Sequence, residues 1–202
     1  MSKIFPFIQL DQIPYQRIAL RLGYPSFNKL SQKDKDLIEN MVDLCLKEWE
    51  PKGITKNDLI IEISDQQIKT KHLLIPGQNI SKLLKKSAKV SLLAVSAGAE
   101  ILKIRELYLN ENNNAYAFVL DGVLSELTDE LAIEINRYIL REANMKGYNL
   151  TRRFSPGYGD LPLSFQKNLL NFIEARKIGL SISRNFILKP EKSVTAIIGW
   201  EK

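Results

Sequence analysis

Residues 152–164 read RRFSPGYGDLPLS and lie where a long helical pattern gives way to a second helix and a run of strands. Pro156-Gly157 is a strong turn pair, because proline presets its own φ and glycine accepts a positive φ at the next position. The proline pushes Ser155 into an extended conformation, and Asp160-Leu161-Pro162 repeats the stiffening on the far side. Such a loop loses little entropy when a ligand orders it. Its amides near Gly157 and Gly159 can approach a ligand closely, with no Cβ in the way. Arg153 offers a fork of donors suited to a carboxylate or a phosphate, and Tyr158 offers a π face and a hydroxyl. A small zwitterion or a nucleoside would suit this set, while an ordinary surface connection can have the same composition.

Upstream of the loop, Val123, Leu127, Leu131, Ile135 and Ile139 recur at four-residue steps, which predicts a long helix with one packed stripe. Glu126, Asp129, Glu130 and Glu134 fall on its more polar surface, from which a carboxylate can still face a neighbouring cleft. Downstream, Ser164 is read as the cap of the helix FQKNLLNFIEARKI, which Gly179 ends. LSISRNFIL and SVTAIIGW then read as two strands joined by the turn KPEK.

Nearer the start, Pro14 opens a short helix YQRIALRLG that Gly23 stops. Ser31 with Asp34 forms a capping-box pattern ahead of a helix that Pro51 ends. A strand pair is expected at DLIIEI (58–63) and QIKTKHLLI (67–75), followed by a helix ISKLLKKSA capped by Asn79. AKVSLLAVSAG is a buried strand, and EILKIRELYLN is helical before the polar ENNN loop. Separate strands, hairpins and flanking helices, with no repeat or linker, argue for one α+β domain, residues 1–202, around a mostly antiparallel sheet.

Charge is uneven along the chain. Residues 152–202 carry nine basic and four acidic side chains, so +5 of the +6 net charge lies in the last quarter. Attraction to an anionic ligand or acidic partner is one consequence; a solvated basic surface is the other. The single cysteine, Cys45, sits in a helical apolar pattern and reads as a buried inert thiol. The single histidine, His72, reads as an ordinary half-buried side chain, and one Cys with one His leaves no zinc cluster. No signal-peptide pattern is present, and the longest uncharged run, Val90–Ala99, is far short of the roughly 20 residues that span a bilayer. The expectation is a soluble cytoplasmic protein with no membrane partner. No dinucleotide fingerprint or Walker lysine loop occurs.

RFSPGYGDLPLSFQ, then IGLSIS, then LKPEKSVTAIIG, closely resembles the activation domain of cobalamin-dependent methionine synthase, specifically its free-standing relatives. The resemblance covers roughly residues 88–200, while the first 80 match loosely. It implies a C-shaped α+β domain with a twisted antiparallel sheet that binds S-adenosylmethionine at Arg153, Pro156, Gly157 and Tyr158, with Asp129 on the long helix and Asp58 as further acids. The fused members of that family differ after the Gly-Tyr pair, where this chain has Gly159-Asp160.

The implied role is reductive reactivation of the synthase. One electron from flavodoxin or a similar reductase, and the methyl group of S-adenosylmethionine, convert cob(II)alamin to methylcobalamin. His72 stands in TKHLLI rather than in the family's cobalamin-ligand motif, and 202 residues hold no homocysteine or folate domain. The resemblance therefore implies work in trans on a synthase that holds the cobalamin, with methyl presentation rather than acid, base or nucleophilic catalysis. Activation of another corrinoid methyltransferase is an alternative. So is a basic nucleic-acid- or protein-binding module, although no nucleic-acid motif is present.

Overall fold

Strand β5 (Ser87–Ser96) organises the molecule. Its sequence, SAKVSLLAVS, is apolar along most of its length rather than at alternate positions, because both of its faces are covered. Val90, Leu92 and Ala94 pack into one core and Leu93 and Val95 into the other, all fully buried. β2 (Lys52–Ile63) and β9 (Ser193–Glu201) flank it, both antiparallel. The computed structural model, which describes residues 1–202, completes a seven-stranded sheet. Its order is β4 (Leu74–Pro76), β3 (Gln67–Thr70), β2, β5, β9, β6 (Asn149–Leu150), with β1 (Lys3–Phe5) also on β2. Every pairing is antiparallel.

Helices cover both faces. Against one lie α1 (Tyr15–Arg21), α2 (Gln32–Glu48), α4 (Glu100–Asn110) and the long α5 (Asn114–Asn144). Against the other lie α3 (Gln78–Leu83) and α6 (Gln166–Ile173). The stripe Val123, Leu127, Leu131, Ile135 and Ile139 is buried as its spacing predicts. Ser31 accepts the Asp34 amide, so the expected cap of α2 is present. Trp200 on β9 is fully buried, and its indole N–H donates to Ser91 at 2.7 Å, which satisfies the one polar atom that its burial would otherwise strand. Cys45 is fully buried in α2, where desolvation pushes its thiol far above its ordinary pKa, so it is inert as a nucleophile.

Five local expectations are corrected. QIKTKHLLI is not one strand: the Asp58 carboxylate accepts from Thr70 Oγ1 at 2.6 Å and from the His72 amide at 3.0 Å, turning the chain between β3 and β4. β2 starts at Lys52, six residues before the expected strand. LSISRNFIL does not join SVTAIIGW. It folds on itself as β7 (Ser181–Ile182) and β8 (Leu188–Lys189), because Ser183 Oγ accepts the amides of Asn185 and Ile187 across a tight turn. Neither Asn79 nor Ser164 caps a helix: α3 begins at Gln78 and is capped from outside, while Ser164 lies in a 3-10 turn preceding α6. Glu126 and Glu130 are not surface acids but are buried beneath α1.

Candidate functional site

The loop 152–161 is fixed at both ends. On the sheet side, Phe154 and Ile197 exchange backbone hydrogen bonds of 2.9 and 2.8 Å, and Ser155 Oγ donates to the Thr195 carbonyl at 2.7 Å. The loop therefore runs along β9 before it turns. Ser155 to Tyr158 then form a turn with Pro156 and Gly157 at its centre; Gly157 has φ +91°, and the Tyr158 amide donates to the Ser155 carbonyl at 3.1 Å. At the far end the Asp160 carboxylate accepts the amides of Gln78 at 2.6 Å and Asn79 at 3.1 Å. Those are open amides of the first turn of α3, so a residue of the loop caps a helix some 80 positions earlier. Burial pushes the Asp160 carboxyl upward, but the Gln78 and Asn79 amides, joined by its own amide and the Lys82 charge, outweigh that and hold it below the usual carboxylate range.

Held this way, the loop closes one side of a cavity of about 860 Å³. Arg152, Arg153, Phe154, Ser155, Tyr158 and Gly159 line it from the loop, Asn79, Lys82 and Leu83 from α3, Asp129 from α5, and Val194 and Ala196 from β9. Its lining mixes apolar Leu83, Phe154, Val194 and Ala196 with charged Lys82, Asp129, Arg152 and Arg153, and it has room for a ligand of nucleoside size.

Two charged groups define its chemistry. Arg153 is partly buried and lines the cavity, and its guanidinium is in no ion pair with the protein, its Nη1 also lacking a hydrogen-bond partner. A carboxylate or phosphate brought by a ligand to the cavity side of the guanidinium would supply the missing counter-charge. Asp129 is the sole acid of the cavity wall. Burial raises its pKa first and the nearby Glu126 charge raises it further, against the opposing pull of Arg21, Arg153 and Arg17. A cation next to Asp129 would relieve that cost. The cavity thus presents a donor for an anionic group and an acceptor for a cationic one, the pairing that a zwitterion needs.

The structure brings Asp129, Arg153 and Tyr158 together on one wall system. Tyr158 is 67% exposed, so its ring is available to cover a bound ligand. Pro156 and Gly157 shape the turn without lining the cavity, and the Gly157 amide is spent on the Leu161 carbonyl at 2.9 Å. Asp58 stands apart from the cavity. Only 2% of its side chain is exposed, and it is engaged by Thr70, by the His72 amide and by His72 Nδ1 at 2.7 Å. His72 completes that turn and stacks near Phe172, with ring centroids 5.6 Å apart.

Sequence reasoning missed Asn79, Lys82 and Arg152 as lining residues, and Asp160 as a cap. Arg152 was adjacent to a residue already singled out. Nothing local marks Asn79 or Lys82, because a contact between α3 and the loop is purely tertiary.

No protein-family model matches the sequence, and no curated protein matches it. Among solved structures, the chain is similar in fold to that of a crystal structure titled as the MetH reactivation domain bound to AdoHcy, with a TM-score of 0.74 and 12% sequence identity. The match covers 98% of this chain and 78% of that one. The chain therefore has the α+β, mostly antiparallel architecture of that domain, including its first 80 residues, where the sequence resemblance was loose.

Proposed function

We propose that the cavity binds S-adenosylmethionine and that the domain presents it to a cobalamin held by another protein, a cobalamin-dependent methionine synthase acting in trans. The observation that carries this reading is that Arg153, in no ion pair with the protein, lines a cavity whose only acid is Asp129. S-adenosylmethionine carries a carboxylate for the first and two cationic centres, ammonium and sulfonium, for the second. The shared fold with a domain that binds AdoHcy adds to it.

In this role Arg153 grips the ligand's carboxylate, Asp129 faces its ammonium or sulfonium, and Tyr158 covers the nucleoside. Fixing the donor in this way supplies proximity and orientation, and no residue of the site transfers a proton. Cobalamin on the partner supplies the nucleophile that takes the methyl group once a flavodoxin or similar reductase has delivered one electron. The neutral thioether that remains, S-adenosylhomocysteine, has lost the sulfonium charge and with it part of its attraction to Asp129.

Calorimetric titration with S-adenosylmethionine tests the site. The wild type is expected to show saturable binding, and Arg153→Ala to weaken it by about 10- to 100-fold, the scale of one charged hydrogen bond. A folded wild type that fails to bind, alone or with the synthase present, would sink the proposal. Restoration of oxidised synthase by this chain, reductase and S-adenosylmethionine, absent with Arg153→Ala, tests the partner.

A further inference from the structure

The short helix α1 lies in the part of the chain whose sequence resembles the methionine synthase family least, yet it packs directly behind the cavity's acid. Arg17 and Arg21 are one turn apart on α1, and Glu126 and Glu130 are one turn apart on α5. The pairs interlock. Arg17 contacts Glu130 and lies 3.2 Å from Glu126 Oε2, while Arg21 Nε donates to Glu126 Oε1. Arg137 adds a second cation to Glu130 at 3.7 Å. Glu126 and Glu130 are therefore served from several sides, and Arg21 has a donor to spare: its Nη2 reaches to 3.8 Å from Asp129 Oδ2.

Gly122 faces the end of α1: a Cβ at that position would lie 2.7 Å from Leu22 Cδ2 and about 4.0 Å from Arg21 Cδ, so a larger residue there must displace the Leu22 side chain beside Arg21. A glycine in the interior of a 31-residue helix costs helix stability, and here the space it leaves seats the residues that carry and follow Arg21.

We propose that Arg21 is a positioning residue that holds Asp129 as the anionic wall of the cavity, so that α1 completes the binding site without touching the ligand. The inference rests on the reading of the cavity as an S-adenosylmethionine site. The charged groups that face Asp129 are Glu126 on its own helix, Arg17 and Arg21 on α1 and Arg153 on the loop; Lys82 of α3 lines the same cavity. Glu126 alone would disfavour a charged Asp129, and Arg21 sits between the two carboxylates and offsets that repulsion. Arg153 cannot take over the task when its own guanidinium is given to the ligand.

The test reads Asp129 directly in the ligand-free protein, by carbon NMR titration of its side-chain carboxyl, with Asp129→Asn to assign the resonance. Arg21→Gln is expected to move the Asp129 midpoint to higher pH, and Arg21→Lys, which keeps the charge, to restore most of the wild-type value. Gly122→Ala, which crowds Leu22 beside Arg21 without changing any charge, should move it in the same direction as Arg21→Gln but by less. Below the Asp129 midpoint that the titration gives, affinity for S-adenosylmethionine should fall about three- to tenfold in Arg21→Gln, with little change well above it. An Asp129 midpoint that is unchanged in a folded Arg21→Gln would overturn the proposal. If the wild type binds no S-adenosylmethionine, the functional reading fails by itself, and the NMR midpoints still decide the role of Arg21.

Discussion

Asp129, with about half of its side chain exposed, carries a cost that Arg21 offsets in part and that a cationic ligand would lower further. Its pKa is raised, first by burial and then by Glu126, above the roughly 3.9 of an unfolded aspartate. Between those two values the native state holds a proton that the unfolded chain has lost. Stability from this residue is therefore greatest at low pH, falls as pH rises through the window, and stays reduced above the folded pKa. A cationic ligand reverses the balance by favouring the charged carboxylate. Binding of S-adenosylmethionine in mildly acidic solution should thus release a proton, and affinity should weaken as pH is lowered through the same window. Calorimetry in two buffers of different ionisation enthalpy measures the proton count. Asp129→Asn should release none, lose the acidic limb and bind about tenfold more weakly at neutral pH, the scale of one charged partner lost. Proton release undiminished in that variant would assign the effect to another group.

At the scale of elements, the loop 152–161 works as a clamp between β9 and α3. Gly157 sits at φ +91°, a region that costs an L-residue about 1–2 kcal/mol. Gly157→Ala should lower unfolding stability by about that amount in urea and loosen the wall that carries Arg153. Asp160→Ala removes the acceptor of two amides of α3. Hydrogen exchange at Gln78 and Asn79 should then speed up while the amides of β5 stay protected, and S-adenosylmethionine affinity should drop because Asn79 and Lys82 lose their placement. The elements that local pattern reveals were legible in the sequence: α2 with its Ser31 cap, the stripe of α5, the all-apolar β5, and the turn at Pro156-Gly157. What misled was non-local. The Asp58 carboxylate breaks an apparently continuous strand, and Asp160 caps a helix that Asn79 was expected to cap. Two acids on α5 are neutralised by arginines more than 100 residues earlier. The last had a readable trace, since Arg17 and Arg21 repeat the one-turn spacing of Glu126 and Glu130, although nothing in the sequence says that the two helices meet.

For the molecule as a whole, the position of the cavity decides what binding does to stability. Its walls come from α3, α5, the loop and β9, so they span both helical layers and the sheet between them. A ligand that touches all of these cannot remain bound to a partly opened chain, and its binding energy is coupled to global unfolding. At a concentration of 100 times the dissociation constant, such a ligand stabilises the native state by about 2.7 kcal/mol. For a chain of 202 residues this corresponds to a rise in the thermal midpoint of roughly 5–10 °C. S-adenosylmethionine should produce that rise in the wild type, while Arg153→Ala, binding about 10- to 100-fold more weakly, should keep only about 0.4–1.4 kcal/mol of it at the same concentration, a rise of roughly 1–6 °C. Arg21→Gln should show a normal rise well above the Asp129 midpoint and a reduced one below it. S-adenosylhomocysteine keeps the carboxylate and ammonium but lacks the sulfonium, so its shift at equal concentration should be smaller. An equal shift from both ligands would place the ammonium, and not the sulfonium, beside Asp129, leaving the methyl-bearing sulfur free to face the partner.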